Sequence, residues 1–398
     1  MAKLAPVDTL RQTIDPVFRQ AVDAKTMPGI VAMAATDAGV IYEGAFGTRE
    51  LGKGAAMTLD TVVWIASMTK AVTATAAMQL VERGKLSLDA PASDVVPQLT
   101  AARVLEGFDA AGQPRLRAPK RAISLRHLLT HTAGFAYEIW QGPIAQYQTA
   151  TGTPGITTCT NASLTTPLLF DPGERWEYGI NIDWVGKMVE SASGERLDRY
   201  LEQNIFRPLG MKDTSFKLSD SQKARLASVH QRAADGALAP IEFGLPEDPE
   251  FHMGGGGLYA TAADYLAFQR MILNGGRSNG VQVLRPETVD QMAQNHIGPL
   301  EVGVLRTVIP PLSNDVEFFP GTSKKWGLSF LINTQAAPTG RAAGSLAWAG
   351  LANTYFWIDR TRRVCGVFLS QVLPFYDHTA IDLLGKFETE VYRAIARS

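Results

Sequence analysis

The sequence predicts an α+β fold: an antiparallel sheet flanked by helices, together with a mainly helical lobe. Three observations predict it. Strand-like runs separated by turn residues gather near both ends of the chain, and amphipathic helical stretches lie outside those runs. Between about residues 90 and 250, prolines and glycines break the chain into short helices and long loops. The expected division is an α/β lobe of residues 1–89 and 251–398, with a mainly helical lobe of residues 90–250 inserted between its halves. At 398 residues the chain exceeds one typical domain, which suits this arrangement.

Each element has a local reason. In "VDTLRQTIDPVFRQAVDAK" the apolar residues Leu10, Ile14, Phe18 and Val22 recur at helical spacing, with Pro16 as an expected kink. "GIVAMAATD" and "GVIYEGAFG" follow as a hairpin. The stretch "VVWIASMTKAVTATAAMQLVERG" then reads as a helix that is apolar nearly all round and closed by Gly84, the pattern of a helix buried on every side. Late in the chain "WGLSFLI", "SLAWAG", "TYFWIDR" and "RVCGVFLSQ" succeed one another as an antiparallel meander. "DHTAIDLLGKFETEVYRAIAR" closes the chain as an amphipathic helix.

Composition narrows the function classes. Hydrophobic residues make up 45% and charged residues 19%, ordinary for a soluble globular chain, and the formal net charge is -1. No basic stripe or acidic tail favours nucleic acid or an anionic membrane surface as partner. No apolar run reaches the ~20 residues of a membrane span. The N-terminal residues lack the apolar core of a signal peptide, so a cytoplasmic location is the expectation. Cys159 and Cys365 lie far apart in different contexts, which argues against a disulfide framework.

Chemistry concentrates at Ser67 and Lys70. Three residues apart on a helix, they share a face, so a serine Oγ and a lysine Nζ can share a proton. Burial and the positive end of the helix dipole both lower a lysine's pKa, and a lysine that is neutral part of the time can activate a nucleophile. The plainer alternative is a capping serine beside a surface lysine. An apolar helix of this kind favours burial, and a buried lysine needs specific partners. Tyr178 in "DPGERWEYGINIDWVGKMVESASG" follows a Pro-Gly turn and precedes a helix, where a phenol can relay protons. A core tyrosine with a satisfied hydroxyl is the alternative there.

"SMTK", Tyr178 and "WAG" (Trp348 to Gly350) stand in the order of the three signature elements of serine β-lactamases and penicillin-binding proteins, and the chain resembles that superfamily over nearly its whole length. Within it, the chain is most similar to family VIII carboxylesterases and fungal statin-type acyltransferases, through "WAG", "LRHLLTHTAGF", "VLEGFDAAGQPRLR" and "YGINIDWVGK". The resemblance implies a β-lactamase-like fold and a serine hydrolase that cleaves small-molecule carboxylic esters through an acyl-Ser67 intermediate, with no metal or organic cofactor. It implies catalytic roles for Ser67, Lys70 and Tyr178, and an oxyanion hole from the backbone N–H groups of Ser67 and Leu351. Trp348, Gly350 and Asn181 would bind substrate.

Two departures matter. In β-lactamases the asparagine comes two residues after the tyrosine; here that position is Ile180 and Asn181 comes one later. The lysine of the usual lysine-threonine-glycine triad is replaced by Trp348. Both changes remove groups that would hold a β-lactam, which favours esters. The alternatives are an acyltransferase that passes the acyl group to an alcohol, a weak β-lactamase, and a catalytically silent binding protein.

Other motifs compete less well. "GRSNG" matches a glycine–serine–glycine elbow around Ser278 but lacks the strand before and the helix after. His127 and His131 are spaced like a metal pair, without a third ligand. "HMGGGGLY" lacks the lysine of a phosphate loop and reads as close backbone approach near a cleft. Thr261 and Asp264 read as a capping box. The aromatics of "YEIWQGPIAQY" read equally as a cover for the cleft or as ordinary packing.

Overall fold

A computed structural model describes residues 7–396. Residues 1–6 and 397–398, including the start of the segment read as lacking a signal peptide, lie outside that range. The chain opens with helix α1 (Val7–Asp23), continuous through Pro16, and then strands β1 (Gly29–Thr36) and β2 (Val40–Gly47). Helix α2 (Thr69–Glu82) follows, then, after a long stretch of short helices and loops, α3 (Asn181–Ser193) and α4 (Ala262–Leu273). The C-terminal part supplies β3 (Lys324–Trp326), β4 (Leu331–Asn333), β5 (Leu346–Gly350), β6 (Thr354–Asp359), β7 (Val364–Leu369) and helix α5 (His378–Ala396).

These strands form one seven-stranded sheet in the order β3-β4-β5-β6-β7-β1-β2, antiparallel throughout. N- and C-terminal parts of the chain therefore meet inside the sheet, where β1 pairs with β7. Every residue of β1 is buried, and its run of alanines leaves room for helices on both faces. On one face Phe18 of α1 packs against Phe46, Phe368 and Phe387, joining α1 to β2, β7 and α5. On the other lies α4, whose buried Gln269 donates to the carbonyls of Trp357 and Gly366 at 2.9 and 2.8 Å.

One predicted strand proves to be two. The run "WGLSFLI" turns back on itself, so that Trp326 of β3 faces Leu331 of β4. Gly327 and Ser329 explain the reversal. A Cβ on Gly327 would sit 2.2 Å from the Met292 carbonyl, and Ser329 takes a left-handed φ of 75°. The turn is thus set by a neighbouring helix end rather than by a local pattern.

Helix α2 is buried from Thr69 through Leu80, as its all-round apolarity predicts, and it packs against α3. Short strands also occur in the central stretch, at Val104–Phe108, Pro114–Arg117, His230–Arg232 and Leu238–Pro240. The third of these pairs with Val372–Leu373 just beyond the main sheet. No helix among the described residues is long and apolar enough to cross a membrane.

Candidate active site

Ser67 sits in a turn that enters α2, preceded by Ala66 at a left-handed φ of 45°. A non-glycine residue in that region costs on the order of 1 kcal/mol or more, so the surroundings must hold it. They do so from every side. The Ile65 N–H donates to Leu258 O at 3.1 Å, the Tyr265 hydroxyl to Met68 O at 2.9 Å, and Thr69 Oγ1 to Ala66 O at 2.6 Å. Thr354 Oγ1 on β6 donates to Ile65 O at 3.3 Å. Strand β5 presses against the same turn, because Gly350 has no Cβ: one placed there would lie 2.2 Å from Ile65 O. That close approach brings Leu351, one residue on, to the edge of the Ser67 turn.

Lys70, one helical turn on, is 1% exposed. Its Nζ donates to Ser67 Oγ at 3.1 Å, to the Tyr137 hydroxyl at 3.0 Å and to the Gly255 carbonyl at 2.6 Å. All three acceptors are neutral. The rings of Tyr137 and Tyr178 also face Nζ, with centroids at 5.1 and 4.8 Å. Burial therefore pushes the ammonium down to about 7, against the upward pull of the Asp183 charge.

Tyr178 immediately precedes the turn into α3, buried against His131, Trp140 and Trp348. Its phenol oxygen accepts the Trp348 indole N–H at 2.9 Å. Burial holds its pKa above the ordinary tyrosine value, while Ser67 and Trp348 pull the other way. The structure thus brings Ser67, Lys70 and Tyr178 together. Trp348 does two things at once: its N–H goes to Tyr178, and its ring lines a cavity of about 240 Å³ walled by Phe318, Leu331 and Tyr376.

Asn181 is placed otherwise. It is fully buried, and its amide bonds His131 Nδ1 at 2.9 Å and the Phe135 carbonyl at 3.3 Å. The one-residue shift relative to the β-lactamase pattern turns the side chain into the core, where its Nδ2 joins loop to helix and its Oδ1 has no partner among the described residues. His131 is likewise buried, at a left-handed φ of 57°, and burial with the nearby Lys70 charge holds it neutral. His127 caps a short helix instead, so the two histidines do not act as a pair. No cluster of three or more potential metal ligands occurs among the described residues.

Two site residues escaped the sequence reading. Tyr137 reaches Lys70 because its loop is zipped to the Tyr178 segment, Tyr137 N–H donating to Tyr178 O at 3.2 Å. Gly179 makes that zipper possible, since a Cβ there would lie 2.4 Å from Phe135 O. The aromatic run "YEIWQ" was the available signal. Asp183, fully buried in the first turn of α3, accepts the Gly255 N–H at 2.8 Å. A carboxylate within the apolar "INIDWVG" was its signal. The four glycines at 254–257 lie where backbone approaches the site, as their pattern suggests.

The remaining motifs fall away from the site. Ser278 lies on a small two-stranded hairpin whose turn holds Asn279 and Gly280 at positive φ, so no nucleophile elbow exists there. Thr261 Oγ1 does accept the Asp264 N–H at 3.3 Å. The Asp264 carboxylate, however, goes to Asp213 N and Thr214 Oγ1, so the box is half formed. Both cysteines are free and buried.

Comparison with known proteins agrees with this geometry. The family model described as Beta-lactamase matches residues 14–387. The chain is 33% identical over 400 residues to monacolin J acid methylbutanoyltransferase of Aspergillus terreus (strain NIH 2624 / FGSC A1156), covering 95% of each protein. It is also 33% identical over 397 residues to lovastatin esterase of Penicillium rubens, covering 96% of this chain and 98% of that one. Among solved structures, simvastatin synthase (LovD) from Aspergillus terreus superposes with a TM-score of 0.84 at 32% identity, over 96% of this chain and 98% of that one. The fold, the Ser67 turn and these end-to-end matches lead to one conclusion: the chain belongs to the beta-lactamase family, as an enzyme of the serine β-lactamase-like superfamily.

Proposed function

We propose that the protein is a serine carboxylesterase that acts on small-molecule carboxylic esters through an acyl-Ser67 intermediate. The observation that carries this reading is the 3.1 Å contact between Ser67 Oγ and a buried Lys70 with only neutral hydrogen-bond acceptors. Burial lowers the lysine and raises Tyr178, which supports Lys70 as the base and Tyr178 as the proton donor. Near neutral pH the amine can lose its proton and the phenol keeps its own. Lys70 is then the base that takes the Ser67 proton as Oγ attacks the ester carbonyl. The backbone N–H groups of Ser67 and Leu351 would receive the oxyanion, each donor worth about 3 kcal/mol of barrier. As the tetrahedral intermediate collapses, the C–O bond to the alcohol breaks. Tyr178 passes its proton to the leaving oxygen and is reprotonated from Lys70. Water then attacks the acyl-serine with the same groups in reverse order.

A second reading, transfer of the acyl group to another alcohol, is favoured by the similarity to monacolin J acid methylbutanoyltransferase, as the first is by that to lovastatin esterase. It uses the same acyl-enzyme and differs only in what resolves it. One experiment covers both. Release from a short-chain p-nitrophenyl ester is followed by absorbance for the wild type and Ser67→Ala, with products analysed with and without an added alcohol. Release by the wild type that disappears with the serine is expected. Free acid as the main product in the presence of alcohol supports the esterase, and a new ester supports the transferase. Equal turnover by the Ala variant would remove Ser67 from the mechanism.

A further inference from the structure

Beneath Lys70 lies a charge that the ester mechanism does not use. Asp183 is fully buried, and its Oδ1 accepts the Gly255 N–H at 2.8 Å. Its Oδ2 has no protein partner among the described residues. Gly255 is the link to the site, because its own carbonyl accepts Lys70 Nζ at 2.6 Å. The fit is close enough to require glycine: a Cβ on Gly255 would lie 2.6 Å from Asp183 Oδ2. Lys70 is thus held at one end by Gly255, and Gly255 is held by Asp183.

We propose that Asp183 is a positioning residue of this site: it tethers Gly255 so that the Gly255 carbonyl orients Lys70, and its negative charge sets how readily the lysine releases a proton. The inference rests on the reading of Ser67 as nucleophile and Lys70 as base. A buried carboxylate near a buried amine favours the charged amine. The groups facing Lys70 are Ser67 from its own helix entrance, His131 and Tyr137 from the preceding loop, Tyr178 and Asp183 from the α3 segment, and the Gly255 carbonyl. Among them only Asp183 is a carboxyl group. Burial raises its pKa to about 6, with Lys70 pulling it back. The same charge bears on both phenols, where it favours the protonated form. Asp183 therefore sets the lysine's proton affinity from behind the catalytic groups while it stays out of reach of a substrate.

A merely structural aspartate would affect folding and leave the proton balance alone, which separates the two roles. The test is the rate at which a fluorophosphonate labels Ser67, followed by intact-protein mass from pH 5 to pH 9. It uses the wild type, Asp183→Asn and Asp183→Ala, with the melting temperature of each. Labelling is independent of the natural ester. Asn keeps an oxygen for the Gly255 N–H and removes the charge, so Lys70 should become a free base at lower pH. The acid limb of the Asn variant is expected to move down by about one pH unit. Ala also releases the tether, and labelling should slow on the order of tenfold or more at every pH. An Asn variant whose limb stays at the wild-type position, whatever its melting temperature, overturns the proposal. A wild type that is never labelled at Ser67 overturns the nucleophile reading instead, and this inference falls with it.

Discussion

Lys70 and Arg341 are both buried cations, and they are treated in opposite ways. Arg341 is 5% exposed and meets a carboxylate, its Nε donating to Glu388 Oε1 at 2.8 Å and its Nη2 to Oε2. Thr339 adds a hydroxyl to the same carboxylate at 2.6 Å, and the guanidinium lies over Trp357 and Phe319. Burial works against the charge, yet Glu388 holds the guanidinium above its ordinary range. Lys70, buried to the same degree, has neutral oxygens as its hydrogen-bond partners, and its pKa falls to about 7. One site keeps its proton under all ordinary conditions and ties α5 to the loop before β5. The other can give its proton up and sits beside a serine. With burial alike, the partner decides whether a buried cation keeps its proton.

The contrast can be broken from either side. The largest effect is expected for Lys70→Met, which keeps the buried volume and removes the base. Turnover of a p-nitrophenyl ester should fall by about 10³-fold, with a cooperative thermal transition retained. A variant that keeps more than a tenth of wild-type turnover would contradict the assignment. Glu388→Ala should do the reverse. It strands a buried guanidinium and should cost about 3–5 kcal/mol of stability by denaturant unfolding, with kcat/KM of the folded fraction unchanged. A smaller effect is expected from Trp348→Phe, which keeps an apolar ring and removes the N–H that Tyr178 accepts. Loss of that hydrogen bond should lower kcat about tenfold with little change in KM. A change confined to KM would make Trp348 a pocket wall alone.

How far the sequence discloses this arrangement follows from how local each contact is. Ser67 in the turn and Lys70 on the helix it enters are three residues apart, so their meeting is legible once the apolar run of α2 implies burial. The burial of α2 is legible from its lack of a polar face, and the sheet from alternating runs with turns between them. The contacts that tune the lysine are not local. Tyr137 and Gly255 reach Nζ from 67 and 185 residues away, and no periodicity encodes either. Asp183 acts through a glycine whose significance appears only when the two backbones meet. Asn181 shows the same limit: one residue of register on a helix turns a side chain by about 100°, here into the core. The hairpin inside "WGLSFLI" escaped because the Met292 carbonyl that shapes it belongs to another part of the chain.

The central claim is that burial lets Lys70 give up its proton near neutral pH, and the pH profile of the wild-type enzyme tests it most directly. The lysine accepts a proton only when neutral, and it is neutral above its pKa, so activity should rise as pH rises. With burial holding that pKa at about 7, kcat/KM for a p-nitrophenyl ester should climb through an acid limb centred near neutrality. A profile that is flat from pH 5 to pH 9, or that rises only near the ordinary lysine range, would contradict the claim.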